Sequence, residues 1–127
     1  QATGAFTVSF ADAANVVASD YVGLASANTE PKKMEKSGFH LTKSQFVNAP
    51  LIDELPVAME CKLVKINEDG NVIGEIVNVS ADESVLGEDG TIDFAKFRPI
   101  SFEPVHSGYH VLGERVGNAF QDGAALK

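Results

Sequence analysis

Residues 55–86, LPVAMECKLVKINEDGNVIGEIVNVSADESVL, read as two long strands joined by a tight turn. Val57, Met59, Cys61 and Leu63 share one face at period two, with Glu60 and Lys62 on the other. Asp69-Gly70 supplies positive backbone angles and predicts a two-residue hairpin turn. The return strand, Val72 to Ser80, is apolar on both faces, with Ile73, Val77 and Val79 on one and Val72 and Ile76 on the other. That pattern predicts a strand buried on both sides and therefore central to its sheet. Gly74 leaves one point where another backbone or a flat ligand can approach closely.

A chain of 127 residues is expected to form a single domain over residues 1–127. No apolar run approaches the roughly 20 residues a spanning helix requires, so no membrane partner is expected. A formal charge of −8 argues against nucleic acid, because phosphate backbones need a basic face. The single cysteine, Cys61, falls at an inward strand position and has no partner for an internal disulfide. A buried, inert thiol is expected, and the composition suits a cytoplasmic location. The chain opens at Gln1 with no basic region leading into an apolar stretch, and reads as one lacking its natural start.

Outside the hairpin, Gly4 to Phe10 alternates as a short strand. Ala11 to Ala25 places Ala14, Val17, Ala18, Tyr21, Val22 and Ala25 on one helical stripe, expected to pack on the sheet. A second short helix is predicted from Glu30 to Lys36, capped by Asn28 or Thr29 and stopped at Ser37-Gly38. Short extended pieces are expected at Phe39–Thr42 and Phe46–Asn48, a turn at Asp89-Gly90, one helical turn within Thr91–Phe97, and a strand within Pro99–Pro104. The fold class is therefore mainly β with short helices.

Several kinds of chemistry are excluded by pattern. Gly113 and Gly117 do not make a dinucleotide loop, and no GxSxG elbow occurs. The acidic turns at Gly70 and Gly90 lack the calcium-loop spacing, since Lys65 and Val85 stand five positions earlier. His106 and His110 lie four apart, but Pro104 and Gly108 make that segment extended, and no metal is expected there. No acid–base dyad is visible, so no catalytic side chain is named. The feature that suits a ligand is the basic cluster after Asn28. A helix start beside Ser26, Asn28 and Thr29 offers hydroxyls and N–H groups to a phosphate, with Lys32 or Lys33 as counter-charge. The same lysines also read as a solvated basic face. Tyr109 is the aromatic placed by position to cover a flat cofactor, or else a core residue.

The segments DYVGLAS, KKMEKSGF, APLIDELPVAMECKLVKI, NVIGEIVNVSADESVLGEDGTID and SGYHVLGERVGNAF occur in that order. Together they resemble the flavin reductase-like family, in its flavoredoxin-like branch, from about Gly4 to Phe120. The resemblance implies an FMN-binding split β-barrel, a homodimer with flavin near the subunit interface, and electron or hydride transfer between a nicotinamide or redox partner and FMN. NAD(P)H is then the implied co-substrate, and the flavin carries the hydride chemistry. By similarity Lys33 matches a lysine that contacts the flavin, Ser26 a serine of the same segment, and Tyr109 an aromatic near the ring. The implied cofactor-binding set is Ser26, Asn28, Lys32, Lys33 and Tyr109. Two departures stand out. The family's N-terminal third, which supplies the first barrel strands and most flavin contacts, has no counterpart here, and Asp69 falls where related chains carry a histidine. The alternative is a non-catalytic split-barrel dimerisation domain that does not retain flavin.

Overall fold

Asp69 and Gly70 do turn the long hairpin, in a computed structural model that describes residues 2–127. Strand β4 (Val57–Ile66) runs into β5 (Val72–Ala81), and the two pair antiparallel. The turn is one residue longer than the Asp-Gly pair alone predicts. Asn67 N–H donates to Asn71 O, and Gly70 N–H donates to Asn67 O. Glu68, Asp69 and Gly70 therefore form a three-residue loop in which Gly70, at φ 86°, takes the left-handed position. Asp69 stabilises it by accepting from Asn71 N and Asn71 Nδ2.

The expected order of the sheet is reversed. Strand β1 (Ala5–Ser9) pairs antiparallel with β4, so the sheet runs β1-β4-β5 and β4 is its centre. Val57, Ala58, Glu60 and Cys61 are all buried on β4, which is covered on both faces there. Strand β5 pairs with β4 alone, and Val72, Ile73, Ile76 and Val79 are exposed on it. A strand apolar on both sides is thus the rim of the described sheet. Two register shifts, at Glu60/Cys61 and Leu63/Lys65, bend the pair.

Gly74 is where a close approach occurs, and the group that makes it is internal. A methyl at Gly74 would meet Phe6 Cζ at 2.5 Å and Cε1 at 2.7 Å. Phe6 pairs with Cys61 and Gly74 with Leu63, so the Phe6 ring lies across β4 on the Cys61 face. That ring helps to hold Cys61 at 2% exposure.

A hairpin of β2 (Leu41–Lys43) and β3 (Pro50–Ile52) packs on β1 through β3, and Ser44 in its loop reaches Glu60 of β4. Phe46 to Asn48 is not the strand expected. Its backbone folds around Ser44, whose Oγ accepts from Phe46 N and Val47 N. The strand falls instead at Pro50, the first residue of β3, where a missing N–H costs least.

Helix α1 (Val16–Leu24) follows a short 3-10 turn whose cap, Asp12, accepts from Asn15 N. Its predicted stripe is only part covered: Ala14 and Val17 are exposed, Ala18, Tyr21, Val22 and Ala25 are half-buried, and no residue of the helix is fully buried. Helix α2 (Lys33–Ser37) is shorter than expected and starts three residues later. Residues 26–30 are held as a turn, with Thr29 N and Glu30 N both donating to Ser26 O. Beyond β5, Val85, Ile92 and Phe97 pack with Val57. Helix α3 (Phe94–Phe97), capped by Asp93, and the hairpin β6 (Ile100–Glu103)–β7 (Gly108–Val111) complete the set.

Candidate functional site

The basic cluster occupies the corner between α1 and α2. Lys33 turns inward: its Nζ donates to Val22 O and to Ala25 O, both at 2.8 Å. These carbonyls end α1, so the ammonium satisfies orphaned acceptors and sits at the negative end of the helix. Lys36 Nζ meets Glu30 Oε2 at 2.6 Å, an exposed pair whose hydrogen bond raises the lysine above and lowers the glutamate below their usual values. Lys32 is exposed and has no side-chain partner among the described residues. Ser26 Oγ accepts from Asn28 N at 3.3 Å, which closes the turn, and the Asn28 side chain is exposed.

The phosphate-binding helix start expected here is not formed in that way. The N–H groups of Asn28, Thr29, Glu30, Lys32 and Lys33 are each bonded within the segment. What remains to meet an anion is the Lys32 ammonium and the Asn28 carboxamide.

Tyr109, on β7, meets a different part of α1. Its hydroxyl donates to Asp20 Oδ1 at 2.5 Å, which raises the phenol above its ordinary value. Its ring is tilted 59° against Phe102, with centroids 5.9 Å apart, and both rings are partly exposed. Helix α1 thus anchors Tyr109 through Asp20 and Lys33 through Val22 and Ala25. A cleft of about 460 Å³ between α1 and α2 is lined by Ala14, Val17, Ala18, Tyr21, Lys36 and Ser37, and by none of the five residues named from the sequence.

Two polar clusters escape sequence reasoning. Glu60, 1% exposed, accepts from Ser44 Oγ at 2.6 Å, from Ser80 Oγ at 2.8 Å and from Asn78 Nδ2. Burial pushes this carboxyl up, but the three donors outweigh it and hold it below the usual carboxylate value. The strand period marks Glu60 as polar-faced, and nothing local says that this face is covered. Glu54 clamps His40, accepting from His40 N at 2.6 Å and meeting Nδ1 at 2.8 Å. On the last hairpin, Glu103 Oε1 lies 3.2 Å from His106 Nδ1 and 3.8 Å from His110 Nε2. No group of three or more His, Cys, Asp or Glu among the described residues is arranged to hold a metal ion. No helix among them is long and apolar enough to cross a membrane.

Residues 1–101 match the model of the flavin reductase like domain. The chain superposes on flavoredoxin of Desulfovibrio vulgaris (Miyazaki F) with a TM-score of 0.89 and 38% identity, over 96% of this chain and 66% of that one. Flavoredoxin from Methanosarcina acetivorans gives a TM-score of 0.87 at 27% identity, over 99% and 67%. An uncharacterized protein of Aquifex aeolicus (strain VF5) is 34% identical over 74 residues, 56% of this chain and 38% of its own length. The chain therefore spans about two-thirds or less of the length of these relatives. The fold is mainly β with short helices, of the flavin reductase-like split-barrel kind.

Proposed function

Because the chain belongs to the flavin reductase-like domain family, we propose that it binds FMN and serves electron or hydride transfer between a nicotinamide or a redox partner and that flavin. The observation that carries the reading is the 38% identity with flavoredoxin across 96% of this chain. When bound, the flavin supplies the redox chemistry, and the protein binds and orients it.

The side chains left free at the α1–α2 corner suit an FMN phosphate. Lys32 and Asn28 would meet it directly, while Ser26 and Lys33 fix the turn and the helix end that present them. Tyr109, held by Asp20 and flanked by Phe102, would take the ring. The test is titration of the protein with FMN, followed by quenching of flavin fluorescence. Saturable binding is expected, and Lys32→Ala should weaken it by about tenfold, the scale of one charge-assisted contact. Absence of saturable quenching overturns the reading.

The open edge of β5 favours a second reading alongside the first: association of two copies along that edge, as a homodimer in the cytoplasm. If FMN is not taken up while the dimer forms, the chain is a flavin-free dimerisation domain of the same fold.

A further inference from the structure

A groove of about 710 Å³ lies between α3 and the segment that follows β7. Its apolar lining is Ile92, Phe94, Val111 and Leu112, and of these Phe94, Val111 and Leu112 are exposed. The volume falls within the range of small-molecule sites, roughly 300–1,000 Å³.

The chain contains two arginines, Arg98 and Arg115, and both line this groove. That coincidence is informative in a protein with 18 acidic and 10 basic residues. Among the described residues, neither guanidinium has a carboxylate within ion-pair distance. Arg115 is oriented by neutral acceptors, Gly117 O and Asn118 Oδ1. Arg98 has no side-chain hydrogen bond at all among them, while its backbone is fixed on both sides. Its N–H donates to Phe94 O, its carbonyl accepts from Ala13 N at 3.0 Å, and buried Pro99 follows. The residue is held at φ 51°, a left-handed conformation that costs a side-chain-bearing residue about 1–2 kcal/mol. Two carboxylates also line the groove. Asp93 is committed to Ala95 N–H at 2.8 Å, and Glu114 is exposed.

An apolar trough with an unpaired guanidinium on a fixed backbone suits a flat apolar body carrying a carboxylate. We propose that this groove binds small aromatic carboxylates, with Arg98 taking the carboxylate and Phe94 and Leu112 the ring. The groove adjoins Tyr109 along β7 but is lined by none of the residues placed against FMN above, and the proposal does not rest on that reading.

The probe is 2-naphthoate, titrated into the full chain and followed by amide chemical shifts, with 2-naphthamide as the uncharged control. Saturable shifts at Phe94, Leu112 and Gly113 are expected, with a Kd on the order of 1 mM or tighter for a ligand of this size. Arg98→Gln should weaken naphthoate by about tenfold and leave naphthamide unchanged, since only the charged contact is lost. Leu112→Asp, on an exposed position, should weaken both. The proposal is overturned if shifts map elsewhere, if acid and amide bind alike, if Arg98→Gln binds as the parent does, or if FMN competes with naphthoate.

Discussion

Glu60 is a carboxylate in the middle of a sheet, and its worth lies in the donors it satisfies. Truncating it takes the acceptor from the buried Ser44 hydroxyl and from the half-buried Asn78 amide and Ser80 hydroxyl. Glu60→Ala should therefore cost about 3 kcal/mol, read as a lower urea midpoint at unchanged slope. Its folded value lies below the ordinary 4.5, so the ionised form favours the native state. That contribution is complete above the unfolded carboxyl's range and is lost as pH falls through the folded value. Acid unfolding of the parent should show this loss, and Glu60→Gln should not. His40 has the opposite sign. Its hydrogen bond to Glu54 raises it above 6.5, so its contribution is complete below that pH and fades as pH rises through the folded value. Imidazole NMR should place the His40 midpoint above 6.5, and Glu54→Gln should bring it back toward 6.5. An unchanged midpoint would show that the pair does not persist in solution.

Between β1 and β5 the decisive contact is one ring on one glycine. Gly74→Val forces branched carbon into the space of Phe6, with Lys62 O at 3.2 Å limiting any retreat of the strand. A loss of about 1–3 kcal/mol is expected by denaturation, partly restored by Phe6→Leu in the same chain. No coupling between the two substitutions would contradict the packing described. This contact also shows what the sequence reveals and what it withholds. Asp69-Gly70 with flanking alternation was enough for the hairpin, Gly74 for a close approach, and the Ala–Val–Tyr spacing for α1. Those are local signals. Which strand lies in the middle depends on β1 pairing with β4, a segment remote in sequence, and no local pattern in the doubly apolar β5 reports it. Burial of Glu60 depends on Ser44 from the β2–β3 loop and on Asn78 and Ser80 from β5, segments remote from each other in sequence. The lysines were visible as a cluster, but Lys33 bonding Val22 and Ala25 follows from how α2 folds back on α1, and charge alone does not distinguish a helix-end clasp from a ligand contact. Asp20 under Tyr109 joins residues 89 positions apart and leaves no mark on either neighbourhood.

Across the molecule, the described sheet ends on a strand whose apolar side chains and backbone edge both lack cover. Val72, Ile76 and Val79 are each more than half exposed on β5. Unpaired edges of this kind add strands from other chains, and charge on the edge prevents it. If two copies meet along β5, light scattering after size exclusion should report twice the mass of one chain, and Ile76→Lys should return it to 13.5 kDa. A parent that is monomeric at every concentration would remove the dimer from the proposed function. The same topology sets an order of events during synthesis. Strands β4 and β5 are neighbours joined by the short turn at residues 67–71, so they can zip together at once, while β1 emerges well ahead of its partner strand. Phe6 then waits, greasy and uncovered, until β4 and β5 have left the ribosome. A translational stall before residue 57 prolongs that wait and gives the chaperones that bind such stretches their longest opportunity.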